Sequence, residues 1–134
     1  CLVINIRTAM TVVVLSDSGW FLGGIIAPGP DLMFKVLSTH TEIPRTERGD
    51  FNQLPVCTED AIFSGVIQSL VGSIERMNQI CTRLEYSKQS FILSGGASSL
   101  ILPYLGVRAK VVDNLVLEGL LLIANDQSRS VKLD

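Results

Sequence analysis

Cys1-Leu2-Val3-Ile4-Asn5-Ile6-Arg7-Thr8-Ala9-Met10-Thr11-Val12-Val13-Val14-Leu15-Ser16-Asp17-Ser18-Gly19-Trp20-Phe21-Leu22-Gly23-Gly24-Ile25-Ile26-Ala27 decides the fold. β-Branched and apolar residues dominate it, and Asp17-Ser18-Gly19 interrupts them with residues that favour a tight turn between strands. Two or three antiparallel strands are expected. Pro28-Gly29-Pro30 ends the run, and Asp31 is placed to cap a short helix in which Leu32, Met33, Val36 and Leu37 share a face.

Working outward, Thr41 to Cys57 carries Pro44, Arg45, Glu47, Arg48, Gly49, Asp50 and Pro55 and reads as a surface loop. From Thr58 a long helix is expected, because Ile62, Val66, Leu70, Ile74, Met77, Cys81 and Leu84 recur at helical spacing. Thr58 suits its N-cap, and Glu59 and Asp60 suit the positive end of its dipole. Ala61, Gly65, Ser69 and Gly72 form a second, small-residue stripe, read as packing on the domain's own sheet with a subunit contact as the alternative. Ser90 to Leu93 reads as a buried strand, Ser94-Gly95-Gly96 as a turn, and Ala97 to Leu105 as a helix broken by Pro103. A strand over Ala109 to Val112 leads to Asp113-Asn114 as a cap and to a last helix, apolar on nearly every side, that calls for burial. Strands first, then helices and strands in alternation, predict an α/β layer on a mixed sheet.

The chain has 134 residues, enough for one core and one domain. Its hydrophobic fraction of 47% and mean hydropathy of +0.40 are high for a free-standing domain and imply that some apolar surface has a partner. A net charge of −2, with Lys and Arg spread along the chain, argues against nucleic acid. The longest apolar run, Leu115 to Ala124, contains Glu118 and falls short of a membrane span. Cys1, Cys57 and Cys81 form no CxxC and fit reduced thiols in a cytoplasmic protein, and His40 sits among Ser38, Thr39 and Thr41 as loop residues do. The chain opens without a signal sequence, and its first strand starts as if at a cut.

Chemistry-bearing motifs are sparse. HExxH, a Cys/His cluster, GxSxG and a P-loop are all missing, which leaves metal hydrolysis and serine esterase chemistry without their residues. Gly23-Gly24 and Ser94-Gly95-Gly96 are candidate phosphate cradles, since backbone N–H groups unshielded by a Cβ can close on phosphate oxygens. A glycine pair is more often a plain turn or bulge.

Taken together, Thr8-Ala9-Met10-Thr11, Leu22-Gly23-Gly24-Ile25-Ile26-Ala27-Pro28-Gly29, Thr41-Glu42-Ile43-Pro44, Thr58-Glu59-Asp60-Ala61-Ile62-Phe63-Ser64-Gly65, Ser94-Gly95-Gly96 and Leu115-Val116-Leu117-Glu118-Gly119-Leu120 resemble, in order and spacing, the motifs of the type III pantothenate kinases. The resemblance covers nearly the whole chain. It implies a ribonuclease H-like domain of the actin and sugar-kinase class, here residues 1–134 as the second, C-terminal domain, with the N-terminal domain not part of this sequence. It further implies homodimers and transfer of the ATP γ-phosphoryl group to pantothenate, the first step of coenzyme A synthesis. The general base, in a Gly-x-Asp-Arg motif, and the first phosphate loop would lie upstream of this sequence.

Residue by residue, the resemblance makes Thr8 a nucleotide contact, Gly95 and Gly96 neighbours of ATP, Thr58 a pantothenate contact, and Asn5 the counterpart of an aspartate that binds potassium or ammonium, with magnesium as a further cation. Where the family reads Asp-x-Gly-Thr-Ala followed by an aspartate, this chain has Asn5-Ile6-Arg7-Thr8-Ala9 and then Val13. Asparagine keeps an oxygen but loses a charge, and Arg7 stands where glycine allowed close approach. Two expectations follow: the Arg7 guanidinium replaces the cation, or the nucleotide site is weakened. The family also includes accessory factors in virulence gene regulation, so a non-enzymatic accessory role is the alternative.

Overall fold

The computed structural model describes residues 1–40, 48–84, 86 and 90–130. The Thr41-Glu42-Ile43-Pro44 motif, with Arg45, Thr46 and Glu47 after it, lies outside these. The first 28 residues form three antiparallel strands, β1 (Leu2–Ile6), β2 (Ala9–Leu15) and β3 (Phe21–Pro28). Their alternation explains the sheet: Leu2, Ile4 and Ile6 of β1 and Met10, Val12 and Val14 of β2 lie across from one another on one face, all buried.

Helix α1 (Pro30–His40) starts two residues earlier than a cap at Asp31 requires, so Asp31 lies inside its first turn. Pro30 is its buried first residue, with φ pre-set by its ring, and the Gly29 carbonyl accepts the Met33 N–H at 3.0 Å. Helix α2 (Thr58–Arg83) likewise begins with Thr58 inside it, and Cys57 is the N-cap, giving no side-chain capping bond. Its apolar face, Phe63, Val66, Ile67, Leu70, Val71, Ile74 and Cys81, covers the buried face of the sheet. Strand β4 (Phe91–Ser94) pairs in parallel with β1, and β5 (Ala109–Val111) in parallel with β4, giving a five-stranded mixed sheet in the order β3-β2-β1-β4-β5. Between them stand a short helix α3 (Ser98–Ile101) and a 3-10 turn, Leu102–Tyr104, carrying Pro103.

Two sequence expectations are corrected. The stripe of Ala61, Gly65, Ser69 and Gly72 does not pack on the sheet: all four are exposed, because the opposite side of α2 already fills the core. The Ser69 and Ser73 hydroxyls donate back to the carbonyls of Gly65 and Ser69, both at 2.7 Å, so this face presents little polarity. Its C-terminal part, Ser69, Gly72 and Ser73, lines a groove of about 580 Å³ with Ile25, Met77 and Ile80. Nor is the last helix, α4 (Leu115–Ser130), buried: Val116, Leu117, Leu120, Leu121, Leu122 and Ile123 are each more than half exposed. The core face is occupied by α2, and no surface of the described residues covers α4.

Candidate functional site

Asn5, Thr8 and Gly95 meet at one end of the sheet. Asn5 lies in β1 beside Thr11 of β2 and Ser94 of β4, on the face away from the core, and its Oδ1 is buried without a hydrogen-bond partner. An orphaned acceptor of this kind is uncommon, because an unpaired buried oxygen costs its lost hydration. Gly95 follows β4 with φ +99°, in the left-handed region, and a Cβ there would overlap the Ile6 carbonyl and come within 2.7 Å of Asn5 Oδ1. Only glycine allows this turn to lie on β1. The Ala97 N–H then donates to the Ile6 carbonyl at 3.2 Å, while Gly96 stays exposed with open space where a Cβ would stand.

Thr8 is the exposed second residue of the Arg7-Thr8 turn between β1 and β2. The turn is held from behind: the Gly29 N–H donates to the Thr8 carbonyl at 2.8 Å, and Gly29 leaves no room for a Cβ against the Arg7 and Thr8 backbone. Arg7 is exposed and its φ is not positive, so the backbone here accepts an arginine without strain.

Thr58 opens α2 and is exposed. Because β4 starts beside Leu2 and runs parallel to β1, α2 delivers the chain to the end where β1 begins, and its own N-terminus points toward the end where β1 finishes. Ring packing agrees: Phe63, in the second turn of α2, stacks on Phe34 of α1 with 6.2 Å between centroids, and α1 starts beside the Arg7-Thr8 turn. The Arg48 guanidinium caps this pair, 4.9 Å from the Phe63 centroid.

Gly23-Gly24 does not join them. Both residues lie inside β3, with Gly23 opposite Val14 at the other end of the sheet, where the register shifts between Val14 and Leu15. Gly24 is needed because a Cβ would overlap the Val12 carbonyl, while Gly23, with φ +139° and open space beside it, stands next to the register shift as a bulge glycine does.

Sequence reasoning missed the polar clasp at the start of α2. Asp60 Oδ1 accepts the Asp50 N–H at 2.9 Å, its Oδ2 accepts Asn52 Nδ2–H at 2.7 Å, and Ser64 Oγ accepts the Asn52 N–H at 2.9 Å. Asp60 carried only a helix-dipole signal, since its partners lie across a loop.

As a ligand site, this end offers an unpaired side-chain oxygen at Asn5, which fits a monovalent cation or a donor hydrogen. It also offers a glycine turn open at Gly96 and the first turn of a long helix with no side-chain cap. Magnesium fits less well: no group of three or more His, Cys, Asp or Glu among the described residues is arranged to hold a metal ion.

Comparison with known proteins agrees with the sequence motifs. The sequence model of the type III pantothenate kinase family matches residues 1–80. Type III pantothenate kinases of Nitrosospira multiformis and Nitrosomonas eutropha are 46% and 42% identical over 97% and 92% of this chain, covering 50% and 49% of their own length. The chain therefore spans about half the length of the curated relatives it matches. A solved structure from Campylobacter jejuni, of a protein assigned to the Baf family of transcriptional activators, superposes with a TM-score of 0.67 over 96% of this chain and 58% of its own. At 21% identity, that likeness bears on the fold alone. With its motifs in family order, a family model matching residues 1–80 and relatives above 40% identity along most of its length, the chain belongs to the type III pantothenate kinase family.

Proposed function

We propose that this chain is the C-terminal lobe of an enzyme that transfers the ATP γ-phosphoryl group to the hydroxyl of pantothenate, giving 4′-phosphopantothenate for coenzyme A synthesis. The observation that carries the reading is the meeting of Asn5, Thr8 and Gly95 at the end of the sheet toward which the N-terminus of α2 points. Family membership supplies the reaction. In it the pantothenate hydroxyl oxygen bonds to the γ-phosphorus as the bond to ADP breaks, and the hydroxyl proton passes to a base, which the family places upstream of this sequence.

Phosphoryl transfer of this kind is mostly positioning and charge neutralisation. Gly95 and Gly96 would bring backbone donors to the nucleotide phosphates, and Thr8 would offer its hydroxyl to the nucleotide. Thr58, at the positive end of α2, would hold pantothenate, whose carboxylate that helix end favours. Asn5 would give its unpaired Oδ1 to a bound potassium or ammonium ion, which supplies positive charge beside the phosphates. Magnesium, if used, would come with the nucleotide.

A ribonuclease H-like fold of the actin and sugar-kinase class, a preceding N-terminal lobe that closes over the nucleotide, a homodimer and a cytoplasmic location complete the reading. The bare apolar face of α4 and the small-residue groove on α2 support the lobe and the dimer, each having area to give a partner. No helix of the described residues is long and apolar enough to cross a membrane.

The test is a coupled assay of the full-length protein with ATP and pantothenate, with and without potassium. Turnover that depends on both substrates is expected, and Thr58→Val should raise the KM for pantothenate about tenfold, as loss of a hydrogen bond to substrate does. No turnover with an intact upstream phosphate loop would overturn it. A second reading, an accessory protein of the same family, is favoured by Arg7 and Val13 at positions where the family has glycine and aspartate. Under it ATP binding is absent by calorimetry and returns with Arg7→Gly combined with Asn5→Asp.

A further inference from the structure

We propose that Asp60 is a positioning residue that sets the spacing between the two halves of the site, through a strap formed by residues 49–52. The inference rests on the kinase reading above and adds to it a residue that contacts neither substrate. The strap is anchored on α2 at several points. Asp60 receives the Asp50 N–H at 2.9 Å on one carboxylate oxygen and Asn52 Nδ2–H at 2.7 Å on the other, and Ser64 Oγ receives the Asn52 N–H at 2.9 Å. Gly49 lies so close to the Glu59-Asp60 backbone that a Cβ would overlap it.

The residue between those anchors points the other way. Phe51 packs on Tyr104, with ring centroids 4.3 Å apart and planes tilted by 38°. Tyr104 ends the stretch that starts at Gly95-Gly96 and runs through α3, so the strap joins the helix turn bearing Thr58 to the segment bearing the glycine turn. Asp60 stands two residues after Thr58 in the first turn of α2. A change at Asp60 is thereby felt as a change in the separation of pantothenate from nucleotide, and transfer between bound reactants is steeply sensitive to alignment. Charge-assisted bonds from a carboxylate to N–H donors are the stronger kind, which suits a side chain that holds a distance.

The test uses the full-length protein and steady-state kinetics with both substrates varied. Asp60→Ala and Phe51→Ala, which cut the strap at opposite ends, should each lower kcat by about tenfold or more while changing the KM for ATP by less than about twofold. Asp60→Asn, which keeps an acceptor for the Asp50 N–H, should recover part of the loss. The double variant should lose little more than either single, since both break one connection. A fall in kcat that follows a parallel loss of folded protein across all variants, or a kcat within about twofold of wild type in both single variants, overturns the proposal. Failure of the underlying reading is recognised separately: the unaltered protein then shows no pantothenate-dependent turnover, and both ideas fall together.

Discussion

Gly95 and Gly96 are neighbours with opposite demands. Gly95 has φ +99° and no room for a Cβ, while Gly96 has an ordinary φ and open space. Gly95→Ala should cost about 2–4 kcal/mol, combining left-handed strain with a backbone overlap, whereas Gly96→Ala should cost under about 1 kcal/mol. Urea midpoints of the two variants check this contrast, and equal values would remove the argument that Gly95 is wedged on β1. Cys81 gives a pH prediction. Its burial pushes the thiol pKa up. Above about pH 8.5, where an ordinary thiol ionises, the unfolded chain sheds a proton that the folded chain retains, so stability falls as pH rises. Below that pH this contribution has no slope. Cys81→Ala should lower stability at pH 7, by leaving a small cavity, yet show a shallower loss between pH 8 and pH 10. Denaturant melts across that range measure both effects.

Among the elements, α2 has its two faces assigned to different tasks. Val66, Leu70 and Ile74 fill the core, while Gly65 and Gly72 face outward with nothing near them. Glycine in an exposed helix interior is unfavourable, so Gly65→Ala and Gly72→Ala should each stabilise this chain by about 0.5–1 kcal/mol, read from the shift in urea midpoint. Destabilisation by either would mean that this outer face of α2 is packed after all. The sequence made α2 and the strands plain, because a buried face imposes its period of 3.6 or 2 on the residues. It did not reveal the Arg7-Thr8 turn, since neither residue is a turn former and the hold on it comes from Gly29, far along the chain. For Gly23-Gly24 it left cradle and bulge both open, because a glycine pair looks alike in either, and the register shift beside Gly23 fits the bulge. Asn5, Thr8 and Gly95 were singled out as candidates through family motifs, whereas the partners of Asp60 had no local signature.

For the molecule as a whole, stability is concentrated between one sheet face and α2. In this chain by itself, Leu70→Ala should lower the thermal midpoint by roughly 10 °C, whereas Leu117→Gln or Leu121→Gln, on the exposed side of α4, should shift it by less than about 2 °C. Thermal melts of the three variants decide it. The apolar character of α4 was legible, but its exposure was not, because periodicity reports what a helix can bury and not which surface covers it.

The parallel pairing of Leu2 with Phe91 carries a kinetic consequence. The first three strands are joined by short turns and can zip from local encounters, but the β1–β4 ladder must close a loop of about 90 residues before it gains anything. Assembly should therefore proceed in two stages, an early hairpin meander followed by slower capture of the fourth strand. Until that capture Asn5 and Gly95 are strangers, so ligand competence should arrive with the last phase of refolding.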